Sequence, residues 1–199
     1  MDEETRRQRE EAIFAAAYGL LAEHGYGGTS MLRVAKAAKA SNETLYRWYG
    51  DKDGLFTAMV RENAARTRQV LVEALEADAD AWTALANVAP VFLHMILGDR
   101  AILLNRAAAA DASGALGAAL SAGGREEVMP LMVQLMQRIC ATGGDAQTAT
   151  EWFLGLLVGD LQIRRVIGQL GAPSGPEIAD RCAMALQALR VLLGSPSVK

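Results

Sequence analysis

The densest group of side chains able to do chemistry lies in one short stretch, "ASNETLYRWYGDKDGLF", residues 40–56. The hydroxyls of Ser41 and Thr44 can bond phosphates or base edges, Asn42 can pair with an adenine edge, and Arg47 can fork onto guanine or a phosphate. Lys52 follows within reach of a further phosphate. Helical spacing turns Leu45 and Tyr49 to one side and Asn42, Glu43, Tyr46 and Arg47 to the other. This leaves Tyr46 and Trp48 off the inward stripe and free to touch a partner. Residues 33–52 carry Arg33, Lys36, Lys39, Arg47 and Lys52 against Glu43 and Asp51, a local excess of three positive charges in a chain of net charge -3. Such a patch suits a phosphate backbone. Two readings of Glu43 stay open: it accepts from a cytosine amino group, or it is a first-turn acid favoured by the helix dipole.

These residues need short helices to hold them. Ile13, Ala17, Leu20, Leu21 and His24 predict a first helix over 4–23, stopped by Gly25, Gly27 and Gly28. Thr29 or Ser30 can cap a second helix with Met31, Val34, Ala35 and Ala38 inward, and Ser41 can cap a third. Two short helices joined by a tight turn and ending in a polar outward face are the geometry that sets a recognition helix in a DNA major groove. Upstream, Arg6, Arg7 and Arg9 form either a basic arm for an adjacent groove or a solvated face neutralised by Glu3, Glu4, Glu10 and Glu11.

Beyond this the pattern stays helical. A long fourth helix is expected over 53–77, with further helices near 80–97, 99–110, 114–121, 125–142, 146–170 and 176–193. The chain has 199 residues, 51% of them hydrophobic, with five prolines, enough for an all-α fold with a substantial core. Cys140 and Cys182 are too few for a disulfide framework or a zinc site, so no metal and no cofactor are expected. The N-terminus "MDEETRRQRE" lacks an apolar signal segment, and the best apolar runs fall short of the ~20 residues that span a bilayer, so a cytoplasmic chain without a membrane partner is expected. No phosphate loop or nucleophile constellation points to an enzyme.

Val34, Ala35, Ala38, Ser41, Thr44, Leu45, Tyr46, Tyr49, Lys52, Leu55 and Phe56, preceded by "AAYGLLAEHGYGGTS", resemble the DNA-binding domain of the TetR/AcrR family of bacterial transcriptional regulators. The resemblance covers roughly residues 10 to 60. It implies backbone contacts from Thr29, Ser30, Tyr46, Trp48 and Lys52, and base-edge contacts from Asn42, Glu43, Tyr46 and Arg47. It departs from the family at Lys39, where a turn glycine tolerating positive φ is usual, and at Ala40, where valine is usual. The regulatory half, through "LLNRAAAAD" and "FLGLLVGDLQIRR", is weakly similar to AefR-like members.

Two domains follow as an expectation: residues 1–52 for DNA binding, and 53–199 for ligand binding and dimerisation, with the helix over 53–77 connecting them. One helix-turn-helix unit makes few contacts, so a homodimer spanning two half-sites is expected. Its surface would come from Phe153, Gly155, Leu157, Gly159 and Leu161 on one late helix and Ile178, Cys182, Leu186, Leu189 and Leu193 on the other. The resemblance implies a four-helix interface from these helices, and middle helices enclosing a pocket whose small-molecule effector changes the spacing of the DNA-reading heads. Candidate walls are Phe92, His94, Met95, Leu103, Arg106, Met132, Met136 and Trp152, each of which taken singly is more readily ordinary core or surface, with His94 expected as a core histidine. The expected function is a repressor on a near-palindromic operator, released by its effector. The alternative is a helical protein-interaction module anchored by the Arg47-Trp48-Tyr49 face.

Overall fold

The computed structural model describes residues 3–77, 79–140 and 144–194. Among these, every regular element is helical: α1 Glu3–Gly28, α2 Met31–Ala37, α3 Asn42–Tyr49, α4 Lys52–Glu76, α5 Ala81–Leu97, α6 Asp99–Ala110, α7 Ala115–Leu120, α8 Glu126–Ile139, α9 Ala146–Val158, α10 Leu161–Val166 and α11 Gly175–Leu192. The chain packs as two units, Met1–Glu62 with Leu103–Gly123, and Asn63–Ile102 with Gly124–Lys199. The expected boundary at residue 52 therefore differs from the packing. The reason is apolar: Leu55, Phe56, Met59 and Val60 from the start of α4, and Leu104, Ala107 and Leu116 from α6 and α7, are buried in one cluster with Ile13, Phe14, Leu21, Val34 and Leu45.

The expected break after α1 occurs at Gly25, whose φ of 64° and ψ of -178° interrupt the helix before one more turn to Gly28. Thr29 is buried, and its hydroxyl donates to the Gly25 carbonyl at 2.8 Å, sealing that turn. Ser30 caps α2, accepting from the Arg33 amide at 3.3 Å. The Gly123-Gly124 pair, between the helices expected near 114–121 and 125–142, lies in a π-helical turn, Ser121–Arg125, that leads α7 into α8. A Cβ on Gly123 would stand 3.1 Å from Val60, so its missing side chain permits that approach.

The second unit is built on α5, whose Leu85, Val88, Phe92 and Leu93 pack with Met132, Leu135 and Met136 of α8, Phe153 and Leu157 of α9, and Ile178, Cys182 and Leu189 of α11. Both α5 and α8 run on through Pro90 and Pro130. Arg138 of α8 donates to the carbonyls of Ala74, Leu75, Ala77 and Ala79, answering the open carbonyl end of α4. The helix expected over 146–170 is cut at Gly159, whose φ of 51° separates α9 from α10. Ser174 and Glu177 form a reciprocal capping box that starts α11. The end of the helix expected over 125–142 falls partly on 141–143, outside the described residues.

Candidate nucleic-acid interface

The turn between α2 and α3 explains how a lysine occupies a glycine-like position. Lys39 adopts φ 50°, the one positive φ at a non-glycine residue among those described. The Ala40 amide donates to the Ala35 carbonyl at 2.9 Å and the Lys39 amide to the Lys36 carbonyl at 3.3 Å. That bond pair is a Schellman termination, whose first residue past the cap must be left-handed. The two hydrogen bonds hold Lys39 against its steric preference. Lys39→Gly is accordingly expected to raise stability by about 1 kcal/mol through relief of left-handed strain, measured as an upward shift of the urea midpoint with unchanged slope.

The turn delivers the chain to Ser41, which caps α3 by accepting from the Thr44 amide at 3.0 Å. The Thr44 hydroxyl is buried and paired with the Ser41 hydroxyl at 2.8 Å, so these two groups are committed to the cap. Leu45 is fully buried and anchors the inner side. Asn42, Glu43, Tyr46 and Arg47 are all exposed, with Tyr46 at 50%. They form one polar ridge along α3, next to exposed Lys39 and Arg33. Arg33 also donates to the Gly28 carbonyl.

Two expected contacts stand in more enclosed surroundings. Lys52 is half-buried. Its Nζ donates to the Tyr26 carbonyl at 2.8 Å and lies 3.7 Å from the Tyr26 ring centroid, and burial lowers its pKa. Tyr26 in turn donates its hydroxyl to Asp53 and meets Phe56 edge-on. This cluster ties the end of α1 to the start of α4. Trp48 is half-buried with Arg6 stacked over its ring. Arg6, Arg7 and Arg9 all lie within α1, and Arg7 pairs with Glu4 and Glu11, which partly neutralises that face.

Residues 13–59, which include α2, the turn and α3, match the family described as bacterial regulatory proteins, tetR family. Over the full chain, a solved structure from Agrobacterium tumefaciens described as a TetR transcriptional regulator superposes with TM-score 0.71 at 29% identity, covering 92% of this chain and 93% of that one. Residues 13–59 thus form a domain of the tetR family. A second solved structure assigned to the TetR family, from Mesorhizobium loti MAFF303099, shares the fold with TM-score 0.76 at 22% identity, covering 96% and 98% of the two chains. Among curated relatives, the HTH-type transcriptional repressor AcnR of Corynebacterium glutamicum is 38% identical over 72 residues. That match covers 36% of this chain and 37% of the repressor, so it spans little more than a third of the relative.

The eight candidate ligand residues differ in burial and in the unit they belong to. Phe92, Met132 and Met136 are buried in the core of the second unit, with Met95 packed against it. His94 is exposed rather than buried, because it falls on the face of α5 opposite Leu85, Ala89 and Phe92. Trp152 is 45% exposed, while Leu103 and Arg106 belong to the first unit. A cleft of about 550 Å³ opens elsewhere in the second unit, lined by residues that include Leu93, Leu97, Leu161, Arg165, Ile178 and Met184. None of the eight lines it.

The ten residues expected at the subunit surface divide by burial. Phe153, Leu157, Ile178, Cys182 and Leu189 are buried in the chain's own core, Leu161, Leu186 and Leu193 are half-buried, and Gly155 and Gly159 are exposed. On the same elements and just after them, the exposed apolar side chains are Trp152, Ile163, Ile167, Met184, Val191 and Leu192. Spacing alone did not single them out, since α9 and α11 are apolar on two faces and periodicity cannot say which face looks inward. No single helix among the described residues is long and apolar enough to cross a membrane.

Proposed function

We propose that this chain is a sequence-specific DNA-binding transcriptional repressor that occupies a near-palindromic operator as a homodimer and is released by a small-molecule effector. The observation that carries it is the exposed ridge of Asn42, Glu43, Tyr46 and Arg47 on a short helix seated by Leu45. Two amide- or guanidinium-bearing side chains on one face supply the bidentate donors that distinguish adenine and guanine in the major groove. Likeness to a protein named a transcriptional repressor, 38% identical over 72 residues, supports the direction of control.

A second copy supplies the second half-site. The exposed apolar side chains of the α9–α11 region give it a surface of the right character, since burying them removes apolar area from water. An effector favouring a dimer whose heads are wrongly spaced would release DNA by differential affinity for two conformations. The protein-interaction reading fares worse, because Trp48 and Tyr49 are half-buried and offer no free aromatic anchor.

The test is selection from duplexes with a randomised core, followed by affinity measurements on the selected sequence. Arg47→Ala and Asn42→Ala are each expected to relax preference at particular base pairs, at about 1–3 kcal/mol per lost bidentate contact. Wild-type affinity should fall linearly with log salt. Unchanged preference and affinity in both variants would remove the proposed orientation of α3.

A further inference from the structure

Arg6, Glu10 and Phe14 recur every four residues and so share one face of α1. All three meet the last turn of α3, within the first unit. The Arg6 guanidinium lies over the Trp48 ring, 5.5 Å from its centroid. The Phe14 and Tyr49 rings are tilted against each other at 6.0 Å, and Trp48 meets Tyr49 edge-on at 6.3 Å. The Tyr49 phenol is pushed well up in pKa, first by burial and then by the Glu10 charge, with Arg6 opposing. Arg6 and Glu10 thus flank the aromatic pair from the α1 side.

This matters because α3 has only eight residues and is about 12 Å long. Its first turn is held by the Ser41 cap and Leu45, and its last turn rests on Trp48 and Tyr49. Tilting a rod of that length by about 10° moves its far end by about 2 Å, whereas base-edge hydrogen bonds tolerate only a few tenths of an ångström. Arg7, by contrast, is occupied by Glu4 and Glu11.

We propose that Arg6 is a positioning residue for base reading: stacked on Trp48, it fixes the tilt of α3 and decides which base edges Arg47 and Asn42 reach, and it makes no phosphate contact of its own. The proposal rests on the DNA-binding reading above. Cation-π contacts stabilise modestly at exposed sites, so the effect is one on preference more than on folding.

The test compares wild type with Arg6→Met, which keeps the aliphatic reach without the cation, and Arg6→Lys, which keeps a cation over the ring. Each is incubated at several salt concentrations with a pool of duplexes carrying a randomised core of about 20 base pairs, and the retained DNA is sequenced. Arg6→Met is expected to lower enrichment of the preferred sequences about fivefold, with an unchanged salt slope, and Arg6→Lys to restore most of it. A slope shallower by about 0.9 with intact preference would put Arg6 on a phosphate and overturn the proposal. So would a variant indistinguishable from wild type. Amide 1H–15N spectra of the free proteins give an independent arm, in which Arg6→Met should move the resonances of residues 44–49. Unmoved α3 amides overturn the proposal whatever the DNA result. Should the wild-type protein enrich no sequence, the DNA reading fails by itself, and those amides still decide whether Arg6 positions α3.

Discussion

Leu45→Ala is expected to destabilise the N-terminal unit by about 3 kcal/mol, more than any other single change on α3. Leu45 is fully buried among Phe14, Val34, Phe56 and their neighbours. Deleting its branched methyls forfeits the transfer energy and leaves a cavity that a close-packed cluster refills poorly. The helix is short, so few other contacts can compensate: beside Leu45, only Thr44 is buried on α3. Urea unfolding followed by far-UV circular dichroism should show the first unit melting about 1.5 M earlier, taking a slope of about 2 kcal/mol/M. Duplex binding should fall with it. The exposed Tyr46→Ala is the control, with stability within about 0.5 kcal/mol of wild type but weakened duplex binding. The contrast separates the residue that seats the helix from one that the helix presents.

The second large effect is in the other unit. Arg165 is 7% exposed, and its guanidinium donates to the Leu97 carbonyl at 3.0 Å, to the Leu170 carbonyl at 3.4 Å and to Asp99 at 2.6 Å. It thereby joins the end of α5, the start of α6 and the segment after α10. Arg165→Met is expected to cost about 2–4 kcal/mol, because it strips buried carbonyls of their donor. Asp99→Asn should cost about 1 kcal/mol or less, since the Asp99 side chain is 82% exposed and water takes over its solvation. Arg165→Lys should rescue little, because one ammonium cannot span the three acceptors that a planar fork reaches. Thermal melting of the four proteins checks this order.

The DNA-reading end was legible in the sequence because its signals are local. Ser30 and Ser41 as caps, Leu45 as the inward anchor and the four outward residues of α3 all follow from side-chain type and helical period. The unusual backbone at Lys39 was signalled only through the family resemblance, in which a glycine usually stands there. What spacing could not show was how hydroxyls and cations are used. Thr29 and Thr44 proved to be sealed into turns, and Lys52 turned toward Tyr26, because these choices depend on carbonyls and rings brought close only by folding.

The second unit was less legible for a related reason. Its helices are apolar on more than one face, so α9 and α11 gave no unique inward stripe, and exposed Met184 and Ile163 went unnoticed beside buried Cys182 and Phe153. The grouping of Leu104, Ala107 and Leu116 with the N-terminal cluster is a long-range event that no local pattern encodes. The cut at Gly159 was hidden for the opposite reason: one glycine inside an apolar helical run reads as a tolerated residue until its φ is seen.

Paired binding to two half-sites is tested most directly by a hydroxyl-radical footprint of the purified protein on a duplex selected from the randomised pool. Two protected patches are expected on one face of the DNA, centred about 35 Å apart, one helical turn. A single patch, or uniform protection that no base sequence strengthens, would contradict it.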